Sequence, residues 1–192
     1  NVVNKKFYIS QQGNTGDSGF TGTAITALHI NEEVKQIYSS DTGLTIGFAA
    51  PVYDAGGNVF AVWNNYSKFS LVEEIFIDSR RTLLEKGLGG TELTLLDKDG
   101  TIIIDYDPTF GKGTDDSIAH DFDKVLFKLN LAKLGVGAAV EAVKEKRGFS
   151  YAMHARKKIV QAGGYAHHKG ALGFPGMNWS VLARTPDTVV NA

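Results

Sequence analysis

Hydrophobic and polar residues alternate with two different periods along the chain, and each change of period marks a new element. Residues 45–66 read TIGFAAPVYDAGGNVFAVWNNY, which is two apolar segments joined by a glycine-rich stretch. Glycine and asparagine supply the positive φ angles of a tight turn, so this pattern predicts an antiparallel hairpin. From Ser70 to Gly87 the apolar residues recur at helical intervals instead. Ser70 and Glu73 have capping-box spacing, and Gly87 offers a left-handed stop, which predicts a helix between them.

A second β region follows the helix. Residues 91–97 and 101–106 flank Lys-Asp-Gly, which predicts another hairpin. Residues 107–147 then carry apolar positions spaced for short helices, and we expect Gly148 to end the last of them. Residues 149–155 and 159–166 are predicted to pair across Arg-Lys-Lys, with 178–184 as the last strand. The later part of the chain is therefore predicted to be five strands with a helical insertion between the second and the third.

The first 44 residues are less regular. Residues 11–23 are rich in turn formers, and Asn31 is placed to cap a short helix. We interpret the chain as an N-terminal partial unit over 1–68, a connecting helix over 69–88 and a larger unit over 89–192.

Composition excludes several classes of function. The 20 basic and 21 acidic side chains leave a net charge of -1, which does not favour a nucleic-acid partner. The sequence has no cysteine, so disulfides, thiolate metal sites and cysteine nucleophiles are excluded. The chain shows no signal-peptide pattern and no apolar run of about 18 residues, so any membrane anchor is expected outside it.

Two segments carry a family resemblance. APVYD-x-x-G-x-V precedes the helix, and GYA-x-x-KG-x-x-GFPG-x-x-W-x-VL-x-R lies near the end of the chain. In this order, over residues 45 to 186, they resemble the extracytoplasmic Cache (PAS-like) sensor domain of bacterial methyl-accepting chemotaxis proteins. The resemblance implies an α+β fold: a PAS-like/Cache antiparallel five-stranded sheet with flanking helices, preceded by a smaller, partial PAS-like α/β unit.

The resemblance also implies a function. It indicates a periplasmic domain of an inner-membrane receptor, tethered by transmembrane helices, that binds a small molecule and passes a shift to a cytoplasmic signalling region. We expect a homodimer in the full-length protein, no nucleic-acid partner, no cofactor and no enzymatic activity. Tandem Cache receptors for amino acids typically carry an arginine in the membrane-distal unit, whereas no arginine precedes Arg80 here. This difference disfavours an amino acid as the ligand. The ligand expected is a short organic acid such as acetate, because a small pocket with one arginine or histidine suits a compact anion.

The pocket of related Cache domains is lined by the central strands. On the third strand Tyr151 and Met153 are predicted to share one face, and His154 and Arg156 the other, so only one pair is expected to line a pocket. Arginine offers a carboxylate two hydrogen bonds, while tyrosine and histidine can donate others. The candidate ligand-binding residues are Tyr106, Tyr151, Met153, His154, Arg156, Tyr165 and His167.

Other interpretations stay open. His167 and His168 are neighbours on a strand and point to opposite faces, which disfavours joint metal binding. The aspartates around 97–107 lack the spacing of a calcium loop and fit turns better. Arg184 is predicted to be a solvated charge at a strand end, and Asn64 with Asn65 leaves room for a second ligand site in the first unit. Alternative functions are the sensor domain of a histidine kinase or cyclase receptor, or a metal-dependent enzyme using His154, His167 and aspartates.

Overall fold

The computed structural model describes residues 10–11, 23–38, 42–108, 118–170 and 176–190. The chain divides into two compact units, Asn1–Leu71 with Gly170–Pro175 and Val72–Lys169 with Gly176–Ala192. Within the described residues, no helix has both the length and the apolar character needed to cross a membrane.

The elements of the earlier unit are β1 (Ser10–Gln11), β2 (Ala24–Ile25), β3 (His29–Ile30), α1 (Glu32–Ile37), β4 (Leu44–Tyr53) and β5 (Val59–Lys68). In its sheet β4 pairs with β2, β3 and β5, and β1 pairs with β2. The predicted hairpin is confirmed: β4 and β5 are antiparallel, and the Asp54 side chain accepts a hydrogen bond from the Asn58 backbone N–H at 2.8 Å across the turn. Asn31 caps the short helix as predicted, since its side chain accepts from the Val34 N–H at 3.0 Å.

The helix predicted after the hairpin is α2 (Ser70–Glu85), and its end is where the sequence placed it. Gly87 has a φ of +76°, the left-handed conformation that closes many helices. Phe76 and Arg80 are the buried residues of α2.

The remaining elements of the later unit are β6 (Glu92–Leu96), β7 (Ile102–Tyr106), α3 (Gly137–Ala142), β8 (Arg147–Met153), β9 (Val160–His167), β10 (Ser180–Pro186) and α4 (Asp187–Val190). Its five strands form an antiparallel sheet with the order β7-β6-β10-β9-β8. The α+β architecture expected from the sequence is thereby confirmed.

The core of the later unit lies on one face of this sheet, which we call the inner face. Helix α3 covers it with small side chains, and Ala138, Ala139 and Ala142 are almost completely buried there. Helix α3 packs directly on β9, since a Cβ at Gly163 would stand 3.5 Å from the Ala138 Cβ, an ordinary van der Waals distance. Leu96, Ile102, Leu126, Leu131 and Leu182 complete the apolar core with α3.

Several predictions about the elements of this unit are wrong. Gly148 does not end a helix: it lies within β8 opposite Tyr165, and a Cβ there would stand 2.8 Å from the Tyr165 hydroxyl. The strand predicted over 149–155 ends at Met153, and the connection to β9 occupies 154–159. The insertion contains one helix, α3, among its described residues, and 122–128 and 131–135 are turns. Residues 12–22, which make up most of the segment rich in turn formers, lie outside the described residues, as do 109–117 and 171–175.

Candidate functional site

The connection between β8 and β9 is organised by His154. The His154 N–H donates to the Ile159 carbonyl at 2.8 Å, and the Lys158 N–H donates to the His154 carbonyl at 3.1 Å. The ring Nδ1 accepts hydrogen bonds from the backbone N–H groups of Arg156 and Lys157, at 3.1 and 2.8 Å. Since a nitrogen that accepts carries no proton, the ring proton lies on Nε2. That nitrogen is 3.1 Å from Glu92 Oε2, so His154 joins the turn to β6.

A network of charges lies below this turn. Arg156 contacts Asp105 at 2.6 Å, Lys157 contacts both Glu92 and Asp107, the latter at 2.7 Å, and Arg184 lies 3.3 Å from Glu92. Three carboxylates are thus matched by three cations. Arg184 also donates to the Thr94 hydroxyl at 2.8 Å. Glu92 and Arg184 are almost completely buried, and buried charges are tolerated because they are paired, whereas the Arg156 side chain is 28% exposed.

Glu92 is the centre of the network, with 1% of its surface exposed. Burial alone would raise its pKa, but hydrogen bonds from His154 and Lys157 and the charge of Arg184 outweigh burial and lower the pKa to about 2. Burial lowers the pKa of Arg184, while Glu92 opposes that change. Glu92 is therefore ionised across the physiological range.

Glu92, Asp107 and His154 also form a set of potential metal ligands, whose donor atoms lie within 4.8 Å of one another. Carboxylate and imidazole are common ligands of divalent metals. In this protein, however, the Lys157 ammonium contacts Glu92 and Asp107 together. The chain thus places its own cation between these two carboxylates.

An open cleft of about 350 Å³ adjoins the network, at the end of the sheet where β8 lies. We call it the edge cleft; its lining comes from 134–137, 151–155 and Lys158. Tyr151 and Met153 give it apolar walls, and about half of each side chain is exposed. Lys158 makes no ion pair with a carboxylate of the described residues. Its φ of 57° is unusual for a residue with a side chain, and such conformations cluster at functional sites.

A much smaller space lies on the inner face beneath α3. This inner cavity measures about 10 Å³, and Ser150, Gln161, Gly163 and Arg184 are part of its lining. Ser150, Gly163, Arg184 and Glu92 lie opposite one another across β8, β9, β10 and β6. Gln161 is 2% exposed, yet both atoms of its amide lack a hydrogen-bond partner among the described residues. The same holds for Ser150 Oγ and Arg184 Nε.

The structure brings together only part of the candidate residues predicted from sequence. Tyr151, Met153 and His154 line the edge cleft. The prediction that Met153 and His154 cannot line the same pocket is wrong, because β8 ends at Met153 and His154 begins a turn. Strand alternation therefore does not separate them.

The remaining candidates lie elsewhere. Tyr106 faces away from the inner face, beneath the Arg80 guanidinium at 5.1 Å from the ring centroid. Arg156 contacts Asp105 in the charge network. Tyr165 packs against the apolar core, and His167 Nδ1 is 3.1 Å from the Ser180 hydroxyl.

Sequence reasoning missed Lys158 and Gln161 and misplaced Arg184. Arg184 was predicted to be solvated at a strand end, but 3% of it is exposed and it lies in the network. Successive side chains of a strand alternate between its two faces, and this pattern could have indicated burial: Arg184 lies on the same face as the buried Leu182, two residues earlier in the strand. Gln161 likewise shares a face of β9 with Gly163 and Tyr165, so alternation places its amide on the inner face of the sheet.

Comparison with solved structures gives matches to bacterial sensory domains. The periplasmic sensory domain of the Campylobacter jejuni chemoreceptor Tlp1 matches over 91% of this chain and 52% of its own, with a TM-score of 0.53 and 19% identity. The extracellular domain of mmHK1S-Z2, a protein assigned as a histidine kinase, matches over 88% and 52%, with a TM-score of 0.51 and 11% identity. The extracellular domain of mmHK1S-Z3, also assigned as a histidine kinase, matches over 88% of this chain and 51% of its own, with a TM-score of 0.50 and 12% identity.

No family model matches the sequence, and no curated protein matches it. At these identities the structural matches show the fold, and the fold is that of extracytoplasmic sensory domains, as the sequence resemblance implied. The chain spans about half the length of the solved domains it matches.

Proposed function

We propose that this chain is an extracytoplasmic sensor domain of a chemoreceptor and that it binds a small carboxylate in the edge cleft. The observation that carries the proposal is the composition of that cleft. It combines apolar walls from Tyr151 and Met153 with the Lys158 side chain, in a volume of about 350 Å³. Ligand pockets in proteins usually measure about 300–1,000 Å³ and combine apolar walls with few polar groups.

Lys158 supports a carboxylate rather than a cation or a sugar. Lys158 and His154 are the basic residues that line the edge cleft. Both ring nitrogens of His154 are already engaged, since Nδ1 accepts from the backbone and Nε2 lies against Glu92, so Lys158 is the residue that can meet an anion. Lys158 is exposed and forms no ion pair with a carboxylate of the described residues, so its ammonium is available to an anion that enters the cleft. The size of the cleft suits a short organic acid, with acetate as the smallest example.

Calorimetry with acetate, propionate and butyrate tests the proposal on the wild-type protein and on Lys158→Gly. Glycine suits the positive φ of this position, so the variant removes the amine without straining the backbone. We expect saturable binding to the wild type and loss of most of the affinity in Lys158→Gly. Glu145 has a φ of 62° and is exposed outside the cleft, so Glu145→Gly is the matched control and should bind normally.

Two results would reject the proposal. Absence of binding by all three acids would reject the carboxylate as ligand. Equal affinity in Lys158→Gly and the wild type would reject the edge cleft as the site. Turnover of a bound acid would instead favour an enzyme, and we expect the acid to be recovered unchanged.

The fold is shared with domains of histidine kinases, so a kinase receptor is the second candidate function. The ligand is expected to act in the same way in either protein, because it only has to bind one conformation of the sensor domain more tightly than another. The complete coding sequence of the gene distinguishes them. A methyl-accepting signalling region supports the chemoreceptor, and a kinase domain supports the alternative.

A further inference from the structure

We infer that the inner cavity is a second part of the ligand site and receives a hydroxyl group, so that the ligand is a small hydroxycarboxylate. This inference rests on the proposed function, since the carboxylate end is assigned to the edge cleft. The two spaces are adjacent, because Val136, Ala152 and Met153 line both of them. A single ligand can therefore reach from one to the other.

The first argument is the set of polar atoms around the inner cavity that have no protein partner. Gln161 presents an amide oxygen and an amide nitrogen, Ser150 a hydroxyl, and Arg184 its Nε–H. Buried polar groups are nearly always hydrogen-bonded, and an unpaired one destabilises the folded state. Four such atoms around one small space indicate that a polar group from outside the chain belongs there.

The second argument concerns charge. Arg184 is the charged residue of the cavity lining, and it already lies 3.3 Å from Glu92. The rest of the network is paired in the same way, with Arg156 on Asp105 and Lys157 on Asp107. A carboxylate placed in the inner cavity would be a buried charge without a counterion, which is strongly unfavourable. The group that enters is therefore uncharged.

The third argument concerns size and hydrogen-bonding type. At about 10 Å³ the inner cavity holds one water-sized group. A hydroxyl has this size, and it both donates and accepts. Donation can reach Gln161 Oε1, while the Gln161 amide N–H and the Arg184 Nε–H can donate to the hydroxyl oxygen. A methyl group would fit the volume but leave every one of these atoms unpaired.

Met153 is the wall residue best suited to admit a ligand. Its side chain is unbranched and about half exposed, whereas Val136 is buried and Ala152 is too short to swing aside. Rotation of Met153 is the smallest change that would join the two spaces.

Calorimetry with butyrate, with both enantiomers of 2- and 3-hydroxybutyrate and with the achiral 4-hydroxybutyrate tests the inference. These acids share one carboxylate and one chain length and differ in the hydroxyl. We expect at least one hydroxybutyrate to bind about tenfold more tightly than butyrate, the effect of about one buried hydrogen bond. Gln161→Met should reduce that affinity to the level of butyrate, and Ser150→Ala should weaken it. Gln36→Met, an exposed glutamine of α1, is the control and should leave the preference intact.

The outcomes separate this inference from the proposed function. If butyrate binds and no hydroxybutyrate binds more tightly, the inner cavity is a hydration site only and the inference is wrong, while the proposed function stands. A preference that persists in Gln161→Met also overturns the inference. If none of the acids binds, the proposed function fails and the inference fails with it.

Discussion

Arg184 of β10 and Glu92 of β6 lie directly opposite each other in register, and their side chains approach to 3.3 Å in the interior of the later unit. Glu92 also contacts Lys157 and His154 of the β8–β9 connection. One carboxylate therefore ties together two strands and the turn that borders the edge cleft. The stability of this turn, and with it the shape of the candidate site, depends on Glu92.

Glu92→Gln is expected to lower the free energy of unfolding by about 3–5 kcal/mol, because it leaves buried cations without their counterion. Glutamine has nearly the same shape, so the loss reports charge rather than packing. Urea denaturation followed by circular dichroism measures the change.

A surface ion pair provides the control for Glu92. Asp78 and Arg81 are 2.9 Å apart on α2, and their side chains are 73% and 54% exposed. Asp78→Asn is expected to change stability by less than about 1 kcal/mol, because water screens exposed pairs. Equal losses in the two variants would show that the buried network contributes no more than a surface pair.

The pKa of Glu92 predicts a dependence of stability on pH. The folded-state pKa is about 2, below the ordinary value of 4.5, so folding favours the ionised form. The resulting stabilisation is complete above about pH 5 and is lost as the pH falls through 4.5 toward 2, by about 3 kcal/mol in all. Urea denaturation between pH 7 and pH 2 measures this loss, and Glu92→Gln should flatten the curve.

Glu141 has to be removed from that experiment. Hydrogen bonds from Lys144 and then Lys146 lower its pKa to about 2 as well, so it titrates in the same range. The scan is therefore run in the Glu141→Gln background. An unchanged slope on adding Glu92→Gln would show that Glu92 does not produce the acid sensitivity.

Several turns of this fold, and the strands that flank them, could be predicted from local sequence signals. Asp54-Ala-Gly-Gly-Asn58 and Lys98-Asp99-Gly100 form turns in which Gly57 and Gly100 have positive φ angles, and Gly87 ends a helix for the same local reason. The end of β8 could not be predicted, since it depends on His154. The His154 ring accepts hydrogen bonds from the backbone N–H groups of Arg156 and Lys157 and contacts Glu92, which is 62 residues earlier in the chain.

The candidate site was harder to predict for the same reason. Arg156 was expected to bind a ligand because arginine suits carboxylates, but the structure places it on Asp105 of a different strand. Whether a charged residue is available depends on partners that sequence does not locate. Gln161 is unusual for the opposite reason, because the fold buries its amide without providing a partner.

Gly100 is expected to be intolerant of a side chain. Its φ is +88°, and a Cβ there would stand 2.5 Å from the Ala132 Cβ. Gly100→Ala therefore combines backbone strain of about 1–2 kcal/mol with a steric overlap of about 1–3 kcal/mol. The free energy of unfolding should fall by the sum of both.

Gly87 separates these two contributions. It has a similar φ of +76°, and a Cβ there would meet nothing within 4 Å. Gly87→Ala should therefore show the backbone strain alone. If urea denaturation gives the same loss for both variants, the approach of Gly100 to Ala132 is not a constraint on the fold.

Gln161→Met is expected to stabilise the ligand-free protein by about 1 kcal/mol, because methionine matches the shape of glutamine without burying an unpaired amide. Most substitutions of a residue that is 2% exposed destabilise a protein, so a gain in stability is diagnostic. Thermal and urea denaturation measure the effect, and Gln36→Met on the surface should change stability by less than about 0.5 kcal/mol. A loss of stability in Gln161→Met would mean that the amide is already satisfied in the ligand-free protein. A gain would mean that the fold retains Gln161 at the expense of its own stability, which is the behaviour expected of a residue kept for a ligand.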